Sequence, residues 1–140
     1  GARNAEVRNM RLCNYKDRQV LLEVTKTGVE RYVMLSLTAK QYLDAYLKDR
    51  RYPSPYLFST FRQPMLGMNT LNLVFKAAGD RVGIKLYPHL LRHSHATNFY
   101  AATGNLRYVQ ESLGHANVQT TTLYTHVSNT EIAREHRLAF

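Results

Sequence analysis

Apolar positions recur along the chain at two different spacings, and the change of spacing divides it. Residues 1–11 carry Ala2, Ala5 and Val7 among their small or apolar positions and read as the end of a helix. Short strand-like runs follow at 11–14, 19–24 and 31–35, the last two rich in β-branched and aliphatic residues. The last two flank Thr25-Lys26-Thr27-Gly28, where Gly28 supplies turn freedom, so the region predicts a small three-stranded antiparallel sheet. Thr38 followed by Gln41 makes a capping box, which predicts a helix carrying Tyr42, Leu43, Tyr46 and Leu47. A loop with Pro53, Pro55, Pro64 and Gly67 ends it.

From Asn69 onward the spacing is helical almost to the end. One amphipathic stretch holds Leu71, Leu73, Val74, Phe75 and Ala78 and stops at Gly83. A second begins near Pro88, a residue suited to a first helical turn, and stops at Gly104. Asn105 caps a third that stops at Gly114, and Asn117 caps a short fourth holding Tyr124. Ser128 with Glu131 opens a final helix over 128–140. The pattern predicts an α+β fold, mostly α-helical, with one small sheet.

Composition adds a size, a compartment and a partner. With 140 residues, 44% of them hydrophobic, the chain suits one compact domain with its own core. No apolar run reaches the roughly 18 residues that cross a bilayer, and the start shows no signal-peptide pattern. Cys13 is the single cysteine, so the expected compartment is a reducing one, the cytoplasm. Nineteen Lys and Arg against ten Asp and Glu give +9, which points to a polyanionic partner such as nucleic acid. A merely soluble or ribosomal-type basic protein has the same balance.

The chemistry-bearing residues lie in two segments. In Pro88-His89-Leu90-Leu91-Arg92-His93, His89 and Arg92 are three apart on one helical face and can converge on one anionic group. Arg92 offers a planar fork that matches phosphate, and His89 can move a proton near neutral pH. Taken alone, such a pair usually belongs to a solvated helix face. Further on, Leu113-Gly114-His115 is followed nine positions after the histidine by Tyr124. Tyr124 alone reads as packing, being one of ten tyrosines.

Together, in this order, the segments resemble the tyrosine recombinases, the phage-integrase family. His89-Leu90-Leu91-Arg92-His93 with Ala96-Thr97 resembles the family's most specific box. Leu113-Gly114-His115 and Leu123-Tyr124-Thr125-His126-Val127 resemble the second. The start, Gly1-Ala2-Arg3-Asn4-Ala5-Glu6-Val7, resembles the first-arginine box, with an acidic residue three positions after the arginine. Thr25-Lys26-Thr27-Gly28 before Arg31 resembles the hairpin that holds the catalytic lysine. The likeness covers essentially the whole chain.

The resemblance implies the recombinase catalytic-domain fold and a DNA-cutting enzyme without metal or other cofactor. It makes Tyr124 the nucleophile of a 3′-phosphotyrosyl intermediate, which conserves the phosphodiester bond energy for rejoining. Arg3 and Arg92 would grip the non-bridging phosphate oxygens. His89 and His115 would bond the same phosphate, Lys26 would protonate the 5′-oxygen leaving group, and Glu6 would orient Arg3. Arg3 stands where a helix end frays. Arg8, Arg11, Arg31, Lys85 and Arg107 are candidates for contacts with the DNA backbone.

Residues 1–140 are then expected to form one catalytic domain, with 128–140 as a tail helix that docks on its own domain or a neighbour's. The family's N-terminal clamp domain and the helices before the first arginine have no counterpart here, so weak DNA affinity is expected of this stretch alone. The expected partner is double-stranded DNA, with a homotetramer on DNA for a full-length protein, a monomer for this stretch, and no membrane. A bacterial, phage or mobile-element source and a role in DNA integration or excision also follow from the resemblance. Alternatives are an inactive DNA-binding relative, a type IB topoisomerase-like enzyme, and a metalloprotein using His89, His93 and His95.

Overall fold

The computed structural model describes residues 1–23, 28, 30–114, 134, 136 and 137. A short helix, α1 (Asn4–Asn9), leads through a 3₁₀ turn at Leu12–Asn14 into the strands β1 (Tyr15–Lys16), β2 (Gln19–Leu22) and β3 (Arg31–Met34). Four helices follow: α2 (Leu37–Asp49), α3 (Thr70–Val82), α4 (Pro88–Thr103) and α5 (Leu106–Leu113). The strands form an antiparallel sheet in the order β1-β2-β3, with Tyr15 opposite Val20 and Val20 opposite Val33. Val20 and Leu22 point inward while Gln19 and Leu21 are only partly covered, the alternation a one-sided sheet requires. The chain is therefore α+β and mostly helical.

The sequence expectation fails in three places. Residues 11–14 do not form the first strand: Arg11 makes an isolated bridge to Tyr56, the next three residues wind into the 3₁₀ turn, and pairing begins at Tyr15. Helix α2 opens two residues before Thr38, because the Ser36 hydroxyl accepts the Ala39 N–H at 3.1 Å and so satisfies a free helical donor earlier. Residues 1–11 are not the end of a helix, since α1 begins at Asn4 with Arg3 as its N-cap. The stops at Gly83, Gly104 and Gly114 and the start at Pro88 fall where the pattern puts them. The expected helix at Tyr124 lies outside the described residues, and of the tail only Arg134, His136 and Arg137 are described, in helical conformation.

Two separate apolar clusters hold these elements. Met10, Val20, Leu22, Leu43 and Leu57 join the sheet to α1 and α2. Phe99, Val109 and Leu113 join α4 to α5. Phe99 is completely buried, which is worth about 1.5–3 kcal/mol relative to an exposed ring. The polar groups described next lie where the two clusters meet.

Candidate active site

Glu6 is the organising group. It sits in the single turn-and-a-half of α1, is only 2% exposed, and receives three donors. The Arg3 backbone N–H reaches its Oε2 at 2.6 Å, and Arg3 Nη1 reaches Oε1 at 2.9 Å. Arg31 Nη2, from the start of β3, reaches Oε2 at 2.7 Å. Three charge-assisted or backbone bonds offset the cost of taking a carboxylate out of water. Arg3 does not fray, because Glu6 holds both its main chain and its side chain.

Arg3 and Arg92 converge from opposite sides. Arg92 lies one turn into α4 and is 8% exposed. Its Nη2 donates to the Leu113 carbonyl at 2.8 Å and its Nη1 to the Gly1 carbonyl. Arg3 Nη2 donates to the Gly114 carbonyl at 3.1 Å. The C-terminal turn of α5 thus presents successive carbonyls to the two guanidiniums. Burial, and then the nearby Arg3 charge, push Arg92 down to about 10 against the pull of Glu6, so it keeps its charge at neutral pH. Each guanidinium has five N–H donors. Among the described residues, these contacts use two from each.

Those side chains face a cleft of about 440 Å³ lined by Arg3, His89 and Arg92, with Asn4, Asn72 and Tyr87 around them. Pro88 starts α4 and places His89 in its first turn, exposed and one turn before Arg92. Two forked cations and an imidazole on one concave surface suit a tetrahedral oxyanion, with donors on two sides of it.

Gly114 explains its own place in the Leu113-Gly114-His115 segment. Its φ is +63°, a left-handed helix cap, and a Cβ there would fall 2.3 Å from Arg31 Nε. Only glycine satisfies both the backbone and the close approach of that arginine.

The remaining arginines and lysine divide. Arg31 turns inward, its side chain 10% exposed, so it does not offer the solvent-facing charge that a DNA-backbone contact needs. Arg8 Nε donates to the Leu66 carbonyl at 2.8 Å, and Arg107 Nε pairs with Glu111 at 3.0 Å. Arg11 is exposed beside Glu23 and Tyr56, and Lys85 is exposed on a second cleft beside the first. Lys26, His115 and Tyr124 lie outside the described residues. Among the described residues no cluster of His, Cys, Asp and Glu could hold a metal, and the grouping of His89, His93 and His95 does not form one. No described helix is long and apolar enough to cross a membrane.

A family model described as the phage integrase family matches residues 1–131. The chain belongs to that family. This integrase-family chain is 35% identical over 133 residues to the tyrosine recombinase XerA of Pyrococcus horikoshii, covering 91% of the chain and 47% of that protein. It is equally 35% identical over 138 residues to the tyrosine recombinase XerC of Pseudomonas savastanoi pv. phaseolicola, covering 95% and 46%. It therefore spans about half the length of these relatives. A crystal structure of XerA recombinase superposes with a TM-score of 0.77 at 29% identity, over 96% of this chain and 52% of that one. The XerH recombinase bound to its difH substrate shares the fold, with a TM-score of 0.70 at 24% identity, over 96% and 38%. The integrase-family fold thus brings together the Arg3-Glu6 and His89-Arg92 segments, which lie more than eighty positions apart. Sequence reasoning did not find the carbonyls of Gly1, Leu113 and Gly114 as site groups, nor Tyr87 and Asn72 as cleft walls. Main-chain groups leave no signature in composition, whereas Tyr87 had one, standing next to Pro88.

Proposed function

We propose that the chain is the catalytic part of a site-specific DNA recombinase, cleaving and rejoining strands through Tyr124. The observation that carries this reading is the shared cleft of Arg3, His89 and Arg92, with Arg3 locked by Glu6. The spare guanidinium donors grip the non-bridging oxygens of one phosphate and neutralise the charge that grows as phosphorus becomes pentacoordinate. The Tyr124 phenolic oxygen forms the new bond to phosphorus while the bond to the 5′ oxygen breaks. Lys26 gives its proton to that leaving oxygen, and His89 takes the phenolic proton. His115 bonds the same phosphate. Rejoining runs the sequence backwards, with the 5′-hydroxyl attacking the phosphotyrosine.

Double-stranded DNA is the partner, drawn by the +9 charge, with Arg8, Arg11, Lys85 and Arg107 as backbone contacts. The tetramer on DNA and the integration or excision outcome belong to a longer protein. One exposed, free cysteine, Cys13, suits a cytoplasmic protein.

A DNA duplex nicked just beyond the scissile phosphate tests the reading, because the freed end diffuses away and traps the intermediate. The wild-type chain should give a covalent protein–DNA band that survives detergent, and Tyr124→Phe should give none. An equal band from Tyr124→Phe would sink the assignment.

A further inference from the structure

Arg31 has the most unusual environment of any arginine in the described structure. Its side chain is 10% exposed, Nη2 is spent on Glu6, and both Nε and Nη1 are buried without a hydrogen-bond partner. Leaving two charged donors unmet is costly, so the side chain must be held by something it does for its neighbours. Two neighbours are apparent. Glu6 is shared with Arg3, one oxygen taking Arg3 Nη1 and the other taking Arg31 Nη2. Gly114, whose carbonyl accepts from Arg3, lies directly over the Arg31 Nε and Cδ.

We propose that Arg31 is a positioning residue for the phosphate site: by occupying Glu6 Oε2 and flooring the Gly114 turn, it fixes the direction in which Arg3 points. Arg31 and the Arg3 backbone N–H together hold Oε2, so Glu6 meets the Arg3 guanidinium through Oε1 rather than as the bidentate fork that arginine and carboxylate otherwise prefer. Arg3 Nη2 is left to Gly114, and Arg3 lines the cleft. The charges agree with this role. Arg3, Arg31 and Arg92 against one carboxylate leave an excess of two positive charges, which a phosphate diester and its more highly charged transition state would balance. Arg31 acts through Glu6 and touches no substrate. It also opens β3, so the same contact ties that strand to α1.

The proposal rests on the recombinase reading, and a double-mutant cycle with two readouts separates them. Arg31→Met keeps the apolar stem and removes the charge, and Glu6→Gln removes the group through which it acts. Covalent trapping on the nicked duplex should slow about 10- to 100-fold in Arg31→Met, the range that orienting partners command. In the Glu6→Gln background, Arg31→Met should cost less than threefold more, a non-additivity that packing alone would not produce. If Arg31→Met fails to fold, the Glu6→Gln/Arg31→Met pair, which buries no uncompensated charge, supplies the comparison with Glu6→Gln. Affinity for inorganic phosphate, followed by chemical shifts of the Arg3 and Arg92 guanidinium groups, should weaken about tenfold in Arg31→Met. A wild-type chain that traps no DNA refutes the recombinase reading, while the phosphate titration still decides Arg31. Wild-type cleavage and phosphate affinity in Arg31→Met, or equal losses in both Glu6 backgrounds, would overturn the positioning role.

Discussion

Taking the protein from pH 7 to pH 5 is expected to destabilise it through His95 and His136, whose rings stack at 5.7 Å beside Phe99. Burial first, and then the neighbouring charges of His136, Arg92 and Arg31, push His95 down to about 3. Burial first, and then Arg18, push His136 down to about 4. Both folded values lie below the unfolded value of about 6.5, so the unfolded chain takes up protons first as pH falls. The stability these histidines permit is complete above about pH 6.5 and is lost toward pH 4 and then 3. For a ring that stays neutral at pH 5, the linkage integral between pH 7 and 5 is about 2 kcal/mol, and solvent screening at the ring edges halves it to about 1 kcal/mol each. Urea unfolding at the two pH values reads the loss as a lower midpoint at constant slope. Asp44 is held low by its hydrogen bonds from Lys40 and Tyr15, so its contribution is lost in acid rather than across the histidine range. His95→Gln and His136→Gln should each shrink the pH-dependent loss by about 1 kcal/mol. An undiminished loss in the double variant would refute the reasoning.

Three further outcomes follow from the geometry. Arg92→Lys replaces a fork that spans the Gly1 and Leu113 carbonyls with a single ammonium, so covalent trapping should fall about 100-fold while DNA retention on a filter changes little; undiminished trapping would contradict it. Phe99→Ala empties the centre of the α4–α5 cluster and should cost about 3–5 kcal/mol in urea unfolding, with a smaller loss showing that the cluster collapses around the void. Gly83 and Gly114 both cap helices at positive φ, but only Gly114 has a neighbour within 4 Å. Gly83→Ala should therefore cost about 1 kcal/mol with cleavage intact, while Gly114→Ala should cost more and also lower phosphate affinity. Equal effects at the two caps would remove the argument from Arg31.

The helical half was legible because its punctuation is chemical: Pro88 can start a helix but not continue one, and Gly83, Gly104 and Gly114 relieve the strain of a left-handed cap. The pairing of Arg3 with Glu6 was legible too, being a relation three residues apart. The first strand was misplaced because residues 11–14 have strand-like composition, yet backbone bonds from Leu12 to Pro55 and from Leu57 to Met10 carry them toward the loop after α2. Arg31 reads as a candidate for DNA-backbone contact because nothing local marks it as buried. Its carboxylate partner is 25 residues away, and nineteen basic residues look alike until the fold turns one inward. The start of α2 was a competition between two hydroxyls, decided by which one reached a helix donor first.

The two apolar clusters are fastened to one another at the level of the arginines: Arg92 to the Gly1 carbonyl and Arg3 to the Gly114 carbonyl. Such a seam is made of polar contacts, and it is also the plane on which the guanidiniums meet. A slight shear along it separates Arg3 from Arg92 while both interiors remain dry and packed. Mild denaturant should accordingly silence the chemistry before circular dichroism registers any melting, the clasp opening ahead of the box.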